Sequence, residues 1–318
     1  IKEAATISGA VGAVSSNIGI ATAVTNQDKR HPKVTAAYAT TMHFLTGGRF
    51  SLGLGRGTPR GSRSLGLKPI TTAQMEDFAH LMRRLFRGET VNHDGAAGSW
   101  PSMSLDPKFD EDIPLLLTAF GPNSLALGGR AYDSVVLHTF FTDETTARCV
   151  QTVKQAAEEA GRNPEDVRVW SCFATIGDHL PEPVRLKKTV GRMGTYLQAY
   201  GDLMVETNRW DPEVLARFRA DEFVSNFRAS IDDKATTEEL EHVAELIPEE
   251  WLAPAATGTP EDCVAAINGQ FDLGCDGVIL HGASPDDLAP IVTAYRAQRD
   301  DARFADLPAN PGMRPTGG

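Results

Sequence analysis

Six times along the chain a short apolar run is followed by a stretch of helical character. This alternation restricts the fold more than any single motif does. The runs are Ile18–Val24, Phe50–Leu54, Ile113–Phe120, Ser134–Phe140, Val167–Ile176 and Gly277–His281. Near-continuous apolar runs suit strands covered on both faces, as parallel strands are. Strand, helix and parallel strand imply right-handed crossovers. The clearest helix, Thr72–Arg87, places Met75, Phe78, Met82, Leu85 and Phe86 on one face, with Arg83, Arg84 and Arg87 near its carboxyl end. Helices are also expected over Ile1–Val14, His31–Leu45, Leu125–Ala131, Thr145–Ala160, from Thr259 onward and over Pro285–Gln298. Arg56–Pro69 reads as a basic loop and Val91–Asp112 as irregular. The fold class is therefore α/β with a parallel sheet. A closed (β/α)8 TIM barrel needs eight strands. The chain opens on a helix, so a strand–helix–strand unit ahead of Ile1 would supply the two lacking. An open doubly wound sheet needs no such unit.

The rhythm breaks between Leu180 and Glu249, where Val184–Glu206, Glu213–Ser230 and Thr237–Leu246 read as helices without a strand. This segment is too long for one crossover and reads as a helical insertion before the last strand. The expected organisation is a single domain over residues 1–299, with the insertion at about 180–249 and a flexible tail over 300–318.

A chain of 318 residues with 41% hydrophobic residues can bury a core without disulfide or metal staples. Cys149, Cys172, Cys263 and Cys275 show no CxxC spacing, which fits reduced thiols and a cytoplasmic location. No apolar run approaches the roughly 20 residues of a membrane span, and no signal peptide is visible. The net charge of -11 argues against nucleic acid as a partner. One interval runs the other way. Between Asp28 and Glu76 there is no acidic residue, but eight basic ones: Lys29, Arg30, Lys33, Arg49, Arg56, Arg60, Arg63 and Lys68. A basic island in an acidic chain suggests a small anionic ligand, or a solvated surface that lacks acids.

Within that island lies Phe44–Gly57 (FLTGGRFSLGLGRG). Gly47-Gly48 should close a helix, since glycine takes the left-handed conformation without steric cost. A strand follows, then a glycine loop at its carboxyl end, where α/β proteins place their sites. Gly53-Leu54-Gly55-Arg56-Gly57-Thr58 resembles a dinucleotide fingerprint, but threonine holds the sixth position and no helix is expected to begin there. Gly121-Pro122-Asn123-Ser124 ends another strand and starts a helix, an arrangement that can hold an anion. Asn123 and Ser124 can bond such a ligand or cap the helix. His138 and His281 sit at strand ends and are candidates for catalysis or substrate contact, or for structural hydrogen bonds. Neither forms a metal-binding pattern, and no GxSxG elbow exists.

These stretches resemble the bacterial luciferase-like monooxygenase superfamily, and within it the actinobacterial branch of oxidoreductases that use coenzyme F420. The resemblance rests on Gly19–Asn26 with Arg30-His31-Pro32, on Leu45–Gly57, and on Gly121–Ser124 through Gly128-Gly129-Arg130-Ala131-Tyr132-Asp133. It implies a (β/α)8 barrel and hydride transfer between the deazaflavin C5 and a small organic substrate. FMN-dependent monooxygenation is the alternative, and a non-catalytic barrel that binds a flavin or a partner the second. By the family's pattern, a bulge with a non-proline cis peptide near Ala23-Val24 backs the coenzyme ring. Thr25 and Asn26 lie at its edge, and the glycines of Gly55–Thr58 leave room for it. Gly121, Pro122, Asn123 and Ser124 lie near its phosphate. Arg56, Arg60 and Arg63 would meet the phosphate or the oligoglutamate tail. Thr58 and Pro59 stand where some relatives carry a proton-transferring carboxylate, and the main acid/base residue would precede Ile1. Trp170, Phe140 and His138 are candidate pocket walls. The resemblance also implies a homodimer.

Overall fold

The computed structural model describes residues 3–106, 108–305 and 307, without the side chain of Arg60. The chain divides into two compact units. One comprises Ile1–Val136, Gln151–Val169 and Arg303–Gly318, the other Leu137–Val150 and Trp170–Ala302.

In chain order the first unit holds α1 (Ala4–Val14), β1 (Ile20–Ala21), β2 (Thr25–Asn26), α2 (Pro32–Thr46), β3 (Phe50–Gly55), α3 (Pro59–Ser64), α4 (Thr72–Phe86), β4 (Val91–Gly95), β5 (Gly98–Met103), β6 (Leu115–Thr118), α5 (Pro122–Ala131) and β7 (Ser134–Val136). α6 (Asp143–Glu159) and β8 (Arg168–Gly177) each have residues in both units. Strands β1 and β2 both pair with β3, β3 with β6 and β6 with β7, all in parallel. All six residues of β3 are buried, as are Leu115, Leu116 and Leu117 of β6. The expected face of α4 is buried with Ala79 and Leu81 added. Its start is fixed by a reciprocal cap: Gln74 N–H donates to Thr71 Oγ1 at 3.2 Å, and Thr71 N–H to Gln74 Oε1 at 2.8 Å. Asp133, 2% exposed, accepts from Leu115 N–H at 2.8 Å and from Arg83 at 3.0 Å. Arg130 holds Glu76 through two bonds, at 3.1 and 2.9 Å. The third stretch singled out in the sequence thus ties α4 to the β6–β7 region.

The second unit continues with α7 (Glu182–Leu186), a π-helical turn over Lys187–Gly191, α8 (Arg192–Asn208), α9 (Pro212–Ala220), α10 (Glu222–Asn226), α11 (Ile231–Lys234), α12 (Thr237–Leu246), α13 (Glu249–Leu252), β9 (Ala256–Gly258), α14 (Pro260–Asp272), β10 (Gly277–His281) and α15 (Pro285–Gln298). Both β10 and β9 pair with β8 in parallel, β10 along Trp170–Ala174 and β9 along Thr175–Gly177. The helices between β8 and β9 pack around Met193, Leu197, Phe218, Leu240 and Val243, and Trp210 stacks on Trp251 at 4.5 Å. Tyr200, at φ -157° and ψ 37°, interrupts α8.

Several expectations are corrected. Of the run Ile18–Val24 only Ile20–Ala21 is strand, and a second short strand, Thr25–Asn26, follows beyond it after an irregular segment. Val91–Asp112 contains the antiparallel hairpin β4–β5. β9 was not expected. Ser134–Phe140 ends as a strand at Val136. The helix expected from Ile1 starts at Ala4, with Glu3 as its N-cap accepting from Thr6 N–H at 2.7 Å. A short helix, α3, begins where a loop was expected: Thr58 caps it and Pro59 occupies its first position, which needs no N–H. Of the expected tail, Asp301–Phe304 forms a 3₁₀ turn, and residues 306 and 308–318 lie outside the described residues.

Candidate functional site

Three adjacent parallel strands of the first unit end side by side. Asn26 of β2 lies opposite Gly55 of β3, and Leu54 of β3 opposite Leu117 of β6. Three residues beyond Thr118 the chain reaches Gly121, the N-cap of α5. Ala23–Asn26, Gly55–Thr58 and Gly121–Ser124 are thereby brought to one end of the sheet. Sequence reasoning did not single out Thr118. Its hydroxyl approaches Gly55, at 3.1 Å from where a Cβ there would stand. The available signal was a polar residue closing the run Leu115–Leu117.

The register shows how this corner is built. Ile20 and Ala21 lie opposite Phe50 and Ser51, but Thr25 lies opposite Leu54. Thr22, Ala23 and Val24 thus face only Leu52 and Gly53, which is a β-bulge. The peptide bond between Ala23 and Val24 is cis, where the resemblance placed it. A bulge leaves ladder groups unpaired, and Thr22 makes good the loss. Its hydroxyl donates to Gly53 C=O and accepts from Gly53 N–H, both at 2.8 Å. A Cβ on Gly53 would overlap the Thr22 carbonyl, one on Gly55 the Val24 side chain, and one on Gly57 the Asn26 amide. The glycines therefore do not leave an open space for a ring; they admit the chain's own Thr22–Asn26. Replacing Thr22 by valine keeps the shape and removes both hydrogen bonds. We expect a loss of about 2 kcal/mol, because two buried backbone groups lose their partner. Urea denaturation measures it, and a loss under about 0.5 kcal/mol would contradict this assignment.

The basic island is largely occupied with its own chain. Arg49 donates to Thr46 C=O and Ser15 C=O, each at 2.8 Å, and also to Ile18 C=O. Arg30 donates to Thr25 Oγ1 at 2.8 Å and pairs with Glu3. Arg56 donates to Ile70 C=O at 3.1 Å and Thr72 Oγ1 at 2.8 Å, holding the loop before α4. Lys29, Lys33, Arg63 and Lys68 are exposed, and the Arg60 side chain lies outside the described residues. At α5, Asn123 is exposed and Ser124 half-buried, and neither side chain caps the helix. The helix start is left with its backbone N–H groups and these two side chains.

The candidate histidines both belong to the second unit. His138 Nδ1 lies 3.0 Å from Thr139 C=O, and Nε2 lies 2.9 Å from Tyr200 Oη. A carbonyl only accepts, so Nδ1 carries the hydrogen and Nε2 accepts from the tyrosine. Burial lowers the His138 pKa to about 4, so the ring is neutral. Burial also raises the Tyr200 hydroxyl, keeping it protonated. Tyr196 stacks on Tyr200 with ring centres 5.5 Å apart and meets His138 edge-on at 4.8 Å. His281 ends β10; burial, Arg192 and Lys188 all depress its pKa. Its Nδ1 is buried without a hydrogen-bond partner. Trp170 lies against Gly277, with its indole N–H buried and unpartnered. Phe140, by contrast, is 1% exposed and belongs to the core rather than to a pocket wall.

Among the described residues no group of three or more His, Cys, Asp or Glu side chains is placed to hold a metal ion. No helix among them is long and apolar enough to cross a membrane.

Residues 2–277 match the family of luciferase-like monooxygenases. The chain belongs to this family and is an oxidoreductase of it. The 5,10-methylenetetrahydromethanopterin reductase of Methanolobus tindarius is 26% identical over 271 residues, covering 83% of this chain and 77% of the relative. The F420-dependent glucose-6-phosphate dehydrogenase of Mycobacterium avium (strain 104) is 26% identical over 302 residues, covering 88% and 81%. Among solved structures, the coenzyme F420-dependent tetrahydromethanopterin reductase from Methanopyrus kandleri is similar with a TM-score of 0.74 at 18% identity, covering 91% of this chain and 85% of that one. This likeness carries the fold, that of the luciferase-like TIM barrels, and decides against the open doubly wound sheet.

Proposed function

We propose that the protein is an F420-dependent oxidoreductase acting on a small organic substrate. The observation that carries this reading is the meeting of the bulged strand, the glycine strand and the α5 start at one sheet end, in a chain whose relatives are named for F420. The donor set fits an elongated anionic coenzyme. Gly121 caps α5 without a side chain, so the first-turn N–H groups, Asn123 and Ser124 would hold a phosphate. The Ala23–Asn26 segment, seated on Gly53, Gly55 and Gly57, would support the ring, with Thr118 beside it. When bound, the coenzyme would supply or accept a hydride at its deazaflavin C5. Within the second unit, neutral His138 would hold the Tyr200 hydroxyl in place, and His281 keeps an unpartnered Nδ1.

An FMN-dependent monooxygenase is the second reading, favoured by the family's description. Titrating the protein with F420 and with FMN, followed by fluorescence, separates them. We expect F420 to bind at least about tenfold more tightly, a gap of about 1.4 kcal/mol. Tight FMN binding without F420 binding would overturn the leading reading. We read the protein further as a cytoplasmic homodimer. The four free cysteines and the exposed Ile7, Val14, Phe44 and Leu45 on and beside α1 and α2 support this, and sedimentation velocity tests the dimer.

A further inference from the structure

A cleft of about 560 Å³ opens in the first unit, and none of the residues assigned above to the coenzyme ring or phosphate lines it. Its chemistry is unusual in combining buried acceptors with cations. Gln27, 5% exposed, donates through Nε2 to Gln74 C=O at 3.2 Å. That bond fixes the amide, since turning it would set oxygen against carbonyl. Gln27 Oε1 is left buried without a partner, and so is Asp28 Oδ1. A buried acceptor of this kind calls for an N–H or O–H donor. The same cleft carries Lys29 and Lys68, both exposed, against Asp28, while Arg30 on its wall is already paired with Glu3, so its balance is still positive in a chain of net charge -11. Its wall includes Trp100, which meets His31 edge-on at 5.7 Å.

A simple phosphate or carboxylate would meet the cations and leave Gln27 Oε1 unsatisfied. An apolar ligand would satisfy neither. A chain of acidic residues joined by amide bonds presents N–H donors, carboxylates and methylene spacers together. We propose that this cleft binds an acidic oligoamide chain. Its amide N–H groups donate to Gln27 Oε1 and Asp28 Oδ1, its carboxylates meet Lys29 and Lys68, and its methylenes lie along Trp100. Such a chain is available as a free peptide or as the oligoglutamate tail of F420. The second source rests on the function proposed above.

Isothermal titration tests the site with three ligands: F420 carrying its tail, the same coenzyme cut back to the phosphate, and free tetra-γ-glutamate. We expect saturable tetraglutamate binding that weakens steeply with salt. The tailed coenzyme should bind about tenfold more tightly than the cut form. Both effects should vanish in the Lys29→Glu/Lys68→Glu variant, whose changes are on the surface. Gln27→Leu should weaken tetraglutamate as well; should it not fold, the lysine variant decides alone. Absent or non-saturable tetraglutamate binding, or binding unchanged in the lysine variant, overturns the proposal. Equal binding of the two coenzyme forms, with tetraglutamate still bound, supports the site and removes the coenzyme as its source. If neither coenzyme form binds, the functional reading falls, and tetraglutamate judges the cleft by itself.

Discussion

Gly53→Ala is expected to lower stability by about 4 kcal/mol and to abolish coenzyme binding in the same variant. A methyl group there would occupy the position of the Thr22 carbonyl. Overpacking of this kind costs about 1–3 kcal/mol, and occasionally more. Thr22 cannot simply withdraw, because its hydroxyl holds both backbone groups of Gly53. Two lost hydrogen bonds add about 1 kcal/mol each. Thermal unfolding should show a fall of roughly 10 °C. Gly9 provides the opposite case. It lies within α1 with nothing near the position of an added Cβ, so Gly9→Ala should stabilise by up to about 1 kcal/mol. A Gly53→Ala protein that melts within about 2 °C of the parent would show that the close approach does not exist.

The second large effect is a dependence of stability on pH that runs through His138. Its folded-state pKa lies at about 4, against an ordinary value of 6.5. Between these values the unfolded chain takes up a proton that the folded protein does not. Stability is therefore full above pH 6.5 and falls as the pH is lowered toward 4. Each pKa unit corresponds to about 1.4 kcal/mol, so the whole window is worth on the order of 3 kcal/mol. His281 is depressed in the same direction and adds to the fall. Urea denaturation at pH 7.5, 6 and 5 measures the slope. His138→Gln removes the titrating group, and its slope should be shallower than the parent's by about 1 kcal/mol per pH unit. Parallel slopes would assign the acid sensitivity elsewhere.

Where local signals were strong, the sequence was legible to the residue. β10, α12 and α15 begin and end where the apolar and helical runs place them. The hairpin β4–β5 was not, because it is largely exposed and carries Pro101 and terminal glycines. β9 has three residues, too few to form a pattern. The meeting of the three site stretches could be anticipated from their order along parallel strands. The purpose of the glycines could not. What fills the space above Gly53, Gly55 and Gly57 arrives from about 30 residues earlier, and no spacing rule reports it. The basic island was read as facing a ligand, but composition does not say whether an arginine's partner is a phosphate or a main-chain carbonyl. Arg49 and Arg56 meet carbonyls of their own chain. Gln27, whose unpartnered oxygen carries the cleft proposal, had no sequence signal at all.

The seating of Thr22–Asn26 on the glycines of β3 also bears on how such a chain can change over generations. Neither segment can drift alone. A side chain gained at position 53 or 55 finds its place taken, and a bulge straightened at position 22 strands the backbone of Gly53. Substitutions in the two segments should therefore be inherited as pairs, and a graft that moves one to another scaffold must carry the other with it.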